Sequence, residues 1–291
     1  MDKKPCSSSI VYKPSLPVSM ARRLLQPLQR VVPFKWYVLL ANLLYRSYRK
    51  GLWILYLFHF LWAKLFGDRK ERTKGIFILR LLPYTMGGRK ALENAFDLTV
   101  LVEEKRIEGA LVECGIAEGG TAAMMALTSR EFGRITRPKW FFDSYEGLPD
   151  PSVEDYEGGK AGHFIRPLLK GACLGTVEQV SDLMFDKLHL EREEVHLVKG
   201  WFQETVPLHR KLIGPIAVLR LDGDWYESTK IPLENLFDQV SNGGFVIIDD
   251  YATCFGSRKA VDEFRAARNM IAPLCPDGRG GVWFEKPKTK R

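Results

Sequence analysis

The chain of 291 residues can form one α/β domain of roughly 200 residues with an appendage, and its 46% hydrophobic and 27% charged residues are ordinary for a globular protein. The formal charge of +8 is unevenly spread, because residues 1–74 carry a net +12 and residues 75–291 a net −4. This asymmetry excludes nucleic-acid binding as a whole-protein function. The five cysteines are far apart, so we expect neither a zinc site nor a disulfide framework, but reduced thiols in the cytoplasm.

The N-terminal quarter divides into two segments. Residues 1–35 are basic and begin with many Ser, Pro and Lys residues, which predicts disorder. Residues 36–74 form a predicted helical extension that is apolar and aromatic from Trp36 to Phe66. Arg46, Arg49 and Lys50 interrupt this run, and neither part reaches the ~20 residues that span a bilayer.

Two interpretations of residues 36–74 follow. One is a pair of helices that covers the catalytic domain as a lid or forms a homo-oligomer interface. The other is an interfacial anchor at the cytosolic face of a membrane, with Trp and Tyr at the headgroups and Lys and Arg facing anionic lipid.

From residue 75 to residue 291, short apolar runs alternate with amphipathic segments. Strands are predicted over Ala110–Cys114, Lys139–Asp143, Val195–Val198, Ile216–Asp222, Gly244–Asp249 and Gly281–Glu285. Helices are predicted over Arg89–Arg106, Thr121–Phe132, Val177–Lys187, Ile231–Val240 and Ser257–Ala267. Strands separated by helices of this length indicate an α/β fold with a mostly parallel central sheet and helices on both faces.

The first chemical motif, Glu113–Thr121, lies where a predicted strand ends and a helix begins. Gly115, Gly119 and Gly120 would let the backbone approach a ligand closely, and the helix start offers free N–H groups to a carboxylate or phosphate. The spacing is not that of a dinucleotide site. An acid before the first glycine suits the amino group of an amino-acid ligand; the alternative is an ordinary strand-to-helix turn.

The second motif places Asp143 at the end of the second predicted strand. An acid in this position can bind both ribose hydroxyls of an adenosine. The alternative is a helix-capping or turn aspartate.

The strongest signal is a set of four acids at the ends of two apolar strands. Asp222 and Asp224 follow one strand, and Asp249 and Asp250 follow the next. The carboxyl ends of neighbouring strands form the ligand crevice of an open α/β sheet, and acids that converge there repel each other unless a cation neutralises them. Oxygen ligands favour Mg²⁺ or a similar hard ion. The alternative is four solvated loop aspartates.

Several motifs in order resemble the macrocin O-methyltransferase family, which methylates sugar hydroxyls in natural-product biosynthesis. They are Pro83–Met86, Glu113–Gly115, Asp143–Pro149, Gly200–Phe202, Leu221–Thr229 and Gly243–Tyr251. One departure is Ala117-Glu118, where the family usually has an aromatic and a basic residue before the double glycine.

The resemblance implies a Rossmann-like class I methyltransferase fold and a set of site residues. Asp222, Asp249 and Asp250 would hold Mg²⁺, and Asp224 would be the general base. Apart from the resemblance, His163 is our next candidate for the base; the alternative is a loop histidine exposed to water. S-adenosylmethionine would contact Met86, Glu113, Cys114, Gly115, Ile116, Ala117, Glu118, Gly119, Asp143, Ser144 and Ser228.

The implied function is S-adenosylmethionine-dependent, Mg²⁺-assisted O-methylation of a sugar or related natural-product diol. The expected partner is a small hydroxylated acceptor, such as a glycoside. Two alternatives remain open: a catechol-type O-methyltransferase, and a non-catalytic membrane-associated binding module with the same fold.

Overall fold

The computed structural model describes residue 10, residues 16–164 and residues 168–287. The helices are α1 (Leu16–Val31), α2 (Phe34–Phe66), α3 (Arg69–Leu81), α4 (Gly88–Glu104), α5 (Gly120–Phe132), α6 (Val177–Ser181), α7 (Phe202–Ile213), α8 (Tyr226–Leu236) and α9 (Phe255–Ala267). The strands are β1 (Ala110–Cys114), β2 (Lys139–Asp143), β3 (Val195–Lys199), β4 (Ile216–Leu221), β5 (Val240–Ile248), β6 (Cys275–Pro276) and β7 (Val282–Glu285). A π-helical turn, Asp182–Lys187, follows α6.

The strands form one sheet in the order β3-β2-β1-β4-β5-β7-β6. Strands β1 to β5 pair in parallel, whereas β7 runs antiparallel to both β5 and β6. This arrangement confirms the predicted α/β class and its mostly parallel sheet. The strand order reverses between β1 and β4, so the crevice at the carboxyl ends of these strands is the expected ligand site.

Two apolar layers cover the sheet, because successive strand residues point to opposite faces. Leu111 belongs to the core that includes Phe96 of α4 and Met125 of α5. The next residue, Val112, belongs to the core that includes Leu233 of α8. All six residues of β4 are buried, as expected for a strand with helices on both sides.

The N-terminal helices differ from the sequence prediction. Helix α1 occupies Leu16–Val31, so the disorder predicted over residues 1–35 is wrong there, whereas residues 1–9 and 11–15 lie outside the described part. Helix α2 is one continuous helix of 33 residues, not two short apolar helices. Lys and Arg are good helix formers, so the basic interruption does not end it. Within the described ranges, no helix combines the length and apolar content that a membrane span needs.

The extension packs on the sheet domain. Tyr56 of α2 belongs to the same core as Ile78 and Leu81 of α3. The boundary predicted at residue 75 falls inside α3, where a Cβ atom on Gly75 would lie 2.9 Å from the ring of Phe60. The small residue therefore allows α2 and α3 to approach closely.

Three further features depart from the prediction. Helix α7 was not predicted. The helix predicted over Ile231–Val240 begins earlier, at Tyr226, and β5 has already begun at Val240. Cys275 is disulfide-bonded, so the expectation of reduced thiols is wrong at this position, whereas Cys114 and Cys254 are free thiols.

Candidate active site

A cavity of about 880 Å³ lies at the carboxyl ends of β1, β2, β4 and β5. This volume is typical of small-molecule sites. Most of the predicted site residues line the cavity, namely Met86, Gly115, Ile116, Ala117, Asp143, Ser144, Asp222, Asp224, Ser228, Asp249 and Asp250. Four predicted residues that the structure also describes are not among the lining residues: Glu113, Cys114, Glu118 and Gly119.

The loop after β1 is shaped by one glycine and one aspartate. Gly115 has φ +90°, and a Cβ atom there would lie 2.0 Å from the carbonyl oxygen of Asp222, so no larger residue fits. Asp143 Oδ2 accepts the backbone N–H groups of Ile116 and Ala117, both at 2.9 Å. Burial raises the pKa of Asp143, and these hydrogen bonds oppose that shift. Asp143 therefore holds the loop and also faces the cavity.

Glu113 lies beneath the loop instead of facing the cavity. Its side chain is fully buried, accepts the Thr121 hydroxyl at 2.5 Å and is ion-paired with Arg220. Burial raises the pKa of Glu113 to about 7, while Arg220 and Thr121 lower it. Its position supports a structural role between β1 and β4, and Cys114 likewise packs in the apolar core.

Three of the predicted acids converge at the crevice. The carboxylates of Asp222, Asp249 and Asp250 can offer one oxygen each, all within 4.8 Å of one another. Burial and the nearby carboxylates of Asp224 and Asp222 raise the pKa of Asp250 well above its ordinary value. A cation bound between these groups would offset this repulsion.

The donor set fits a hard divalent cation. Asp250 Oδ1 accepts the hydroxyl of Thr253 at 2.9 Å, while its Oδ2 is buried without a hydrogen-bond partner. An orphaned buried carboxylate oxygen calls for an explanation, and a metal ion is a good one. Oxygen ligands alone favour Mg²⁺ over a softer metal.

Two arginines missed by the sequence analysis contact this cluster. Arg220 is buried, donates to Asp222 Oδ2 at 2.8 Å and also pairs with Asp249 Oδ1. Arg279, from the turn before β7, pairs with Asp249 Oδ2. The position of Arg220 inside the apolar run of β4 could have indicated a buried ion pair, because an unpaired charge is rarely buried. No sequence pattern distinguishes Arg279.

Asp224 has an unusual backbone conformation. Its φ is +59°, in the left-handed region that aspartate tolerates better than most residues. Its Oδ1 lies 3.7 Å from the Sγ of Cys254, another residue that the sequence did not single out. His163 also lines the cavity, with its ring 5.0 Å from that of Phe255 in an edge-on arrangement.

The N-terminal helices supply one side of the cavity. Its lining includes Leu25 of α1 and Leu44, Tyr45 and Tyr48 of α2. The Tyr45 hydroxyl donates to the carbonyl of Met86 at 3.3 Å. The N-terminal helices therefore contribute to the wall of the cavity.

The glycine-shaped loop after β1, the acid at the end of β2 and the crevice at the strand-order reversal define a Rossmann-like site for an adenosine-containing ligand. The relatives identify the fold as that of a class I methyltransferase. The sequence model of the macrocin-O-methyltransferase (TylF) family matches residues 60–286. The matched range omits α1 and most of α2.

Individual relatives agree with this class. A demethyldecarbamoylnovobiocin O-methyltransferase from Streptomyces niveus is 36% identical over 205 residues, which cover 70% of this chain and 76% of the relative. An 8-demethyl-8-(2,3-dimethoxy-alpha-L-rhamnosyl)-tetracenomycin-C 4'-O-methyltransferase from Streptomyces olivaceus is also 36% identical, covering 72% of this chain and 78% of the relative.

Solved structures agree as well. The O-methyltransferase NovP superposes with a TM-score of 0.61 at 35% identity, covering 70% of this chain and 83% of NovP. The calicheamicin methyltransferase CalS11 covers 97% of this chain and 98% of its own at 19% identity and a TM-score of 0.52, a likeness of fold alone.

The chain belongs to the macrocin-O-methyltransferase (TylF) family, and it is an S-adenosylmethionine-dependent O-methyltransferase. Its relatives give no support to the catechol-type or the non-catalytic alternative.

Proposed function

We propose that this enzyme transfers a methyl group from S-adenosylmethionine to a hydroxyl of a sugar or related natural-product diol, with Mg²⁺ as the assisting metal. The observation that carries the proposal is the convergence of Asp222, Asp249 and Asp250 beside Asp224 in the cavity. The relative from Streptomyces olivaceus acts on a rhamnosyl-tetracenomycin, as its name states, which favours a small glycoside as the acceptor.

Each part of the cavity has a role in this proposal. The loop after β1, with Asp143, Ser144, Met86 and Ser228, would bind the cofactor. Asp222, Asp249 and Asp250 would hold Mg²⁺, which when bound lowers the pKa of a coordinated hydroxyl.

A sugar hydroxyl is a poor nucleophile because it stays protonated near neutral pH. Asp224 would accept the hydroxyl proton. The oxygen would then form a bond to the methyl carbon as the carbon–sulfur bond breaks, and the electron pair would stay on the sulfur. The apolar wall formed by Leu44, Tyr45 and Tyr48 would hold the acceptor and exclude water.

The test is methyl transfer from labelled S-adenosylmethionine to a panel of glycosides and catechols, with mass spectrometry of the products. We expect label on a sugar hydroxyl. Transfer to catechols alone would contradict the sugar assignment and restore the alternative acceptor class.

We also propose that the enzyme works in the cytoplasm and that residues 1–74 rest on an anionic membrane surface. Trp36, Leu39 and Leu43 of α2 are each more than half exposed and lie close together on one side of the helix. The net charge of +12 in this quarter would add attraction of about 1 kcal/mol for each Lys or Arg near the surface. Burial of these apolar side chains in the lipid would add a contribution to the binding free energy that salt does not weaken.

Sedimentation with vesicles tests this second proposal. The full-length protein should sediment with phosphatidylserine-containing vesicles and less with purely zwitterionic ones. The triple change Trp36→Ser, Leu39→Ser and Leu43→Ser should abolish binding. A matched change on exposed leucines of α7, Leu208→Ser with Leu212→Ser, should leave it intact. Membrane docking would be contradicted if the triple variant sedimented with vesicles as the wild type does. It would also be contradicted if the wild type dimerised without vesicles and only the triple variant lost that dimerisation.

A further inference from the structure

Asp249 is predicted to bind the metal, yet both of its carboxylate oxygens are already paired with arginines. Oδ1 pairs with Arg220 and Oδ2 pairs with Arg279. The Asp249 side chain is only 4% exposed, so it has little freedom to turn toward another partner. A metal ion that takes an oxygen of Asp249 must therefore share it with an arginine or displace one.

The two arginines differ in how firmly they are held. The side chain of Arg220 is 1% exposed and pairs with Glu113 and Asp222 in addition to Asp249. The side chain of Arg279 is 29% exposed, lines the cavity, and has a buried Nε without a hydrogen-bond partner. Arg279 therefore has fewer contacts to lose and open space into which it can move.

The backbone beneath Arg279 is fixed, although its side chain has room. Asp277 Oδ1 accepts the backbone N–H groups of Arg279, Gly280 and Gly281 at 2.7, 3.0 and 3.0 Å. The carbonyl of Gly280 in turn accepts the N–H of Ala252 at 2.8 Å, which ties this turn to the segment after β5. The turn thus keeps the guanidinium within reach of the acid cluster whether or not it is paired with Asp249.

We infer that Arg279 is a resident cation of the metal centre: it neutralises Asp249 in the metal-free enzyme and exchanges with the divalent ion for Oδ2 of that carboxylate. The inference rests on the proposed function, since it assumes that Asp222, Asp249 and Asp250 form the metal site. It explains how a buried cluster of acids stays folded before the metal binds. It also implies that the metal affinity is set below the value that the three carboxylates alone would give.

Metal titration of three forms of the full chain tests the inference. Mn²⁺ binding, followed by the electron paramagnetic resonance signal of the free ion, should be tighter in Arg279→Gln than in the wild type, by roughly tenfold for the loss of one nearby positive charge. Arg279→Lys retains the charge and should bind Mn²⁺ nearly as the wild type does. The matched control is Arg258→Gln, on the exposed part of α9, which should change nothing.

Thermal unfolding distinguishes a change in metal affinity from a defect in folding. Without metal and at low salt, Arg279→Gln should unfold at a lower temperature than the wild type. Saturating Mg²⁺ should raise the melting temperature of Arg279→Gln by more than it raises that of the wild type. Unchanged or weaker Mn²⁺ binding in Arg279→Gln, while the wild type binds the ion, would overturn the inference and leave the proposed metal site standing. Absence of Mn²⁺ binding in all forms would overturn the metal site itself and the inference with it.

Discussion

At the residue scale, Asp143 has two functions that a single substitution would remove together. Its carboxylate faces the cavity and accepts the N–H groups of Ile116 and Ala117. We expect Asp143→Ala to weaken S-adenosylmethionine binding roughly tenfold or more, as for a lost charged acceptor. Isothermal titration calorimetry measures this change, and Glu146→Ala, an exposed acid nearby, serves as the control. Unchanged affinity would remove Asp143 from the cofactor site.

Asp224 offers a sharper test of the chemistry. Replacement by Asn keeps the size of the side chain and removes the basic oxygen, so we expect kcat to fall by roughly 10²- to 10⁴-fold. Cofactor affinity should stay as in the wild type, because Asp224 is assigned to the acceptor. A near-normal rate would pass the role of base to another group, and His163→Ala would then be the variant to compare.

The site residues divide clearly between those that the sequence could reveal and those that it could not. The four aspartates were predictable because each follows an apolar strand, and parallel strands bring their carboxyl ends to one edge. Glu113 was predicted at the cofactor because it lies two residues before Gly115, which lines the cavity, but the side chain of Glu113 contacts Thr121 and Arg220 instead. Arg279 comes from a turn far along the chain, and no local pattern marks it.

At the element scale, α2 is joined to the cofactor loop by an ion pair. Arg49 of α2 donates to Glu118 Oε2 at 2.9 Å and also to the carbonyl of Pro83. Glu118 belongs to the departure from the family motif noted in the sequence, and its partner lies on α2. The two side chains are 24% and 33% exposed, and such a pair contributes at most about 1 kcal/mol.

Charge reversal tests the function of this pair. Either Arg49→Glu or Glu118→Arg should raise the KM for S-adenosylmethionine about fivefold, the equivalent of that energy. The double variant, Arg49→Glu with Glu118→Arg, should bring the KM most of the way back to the wild-type value. The matched control is Arg69→Glu, which breaks an exposed pair with Glu131 of the same 2.9 Å length away from the cavity. No recovery in the double variant would mean that the pair does not couple α2 to the loop.

The elements themselves were predictable to different degrees. Strands β1 and β2 coincide with their predicted bounds because their apolar runs are flanked by polar residues and turns. Helix α8 was placed late because its start is set by Asp155, which accepts the N–H of Tyr226 at 2.6 Å from 71 residues earlier in the chain. Contacts over such separations are invisible to periodicity.

At the scale of the whole molecule, the two charge regions meet inside α3 and share one apolar core. The mildly acidic residues 75–291 contain the sheet and the carboxylate cluster, and the basic residues 1–74 contain α1, α2 and the start of α3. Tyr56 of α2 packs in the main core. Removal of residues 1–74 would therefore expose apolar surface and open the cavity. The full chain is therefore the form to assay.

If the acid cluster binds the assisting metal, methyl transfer depends on a divalent ion. The most direct measurement is the rate of label transfer from S-adenosylmethionine to a glycoside by enzyme treated with excess chelator, before and after Mg²⁺ is restored. We expect chelation to abolish transfer and Mg²⁺ to restore it. Full activity in excess chelator would show that Asp222, Asp249 and Asp250 serve no metal in catalysis.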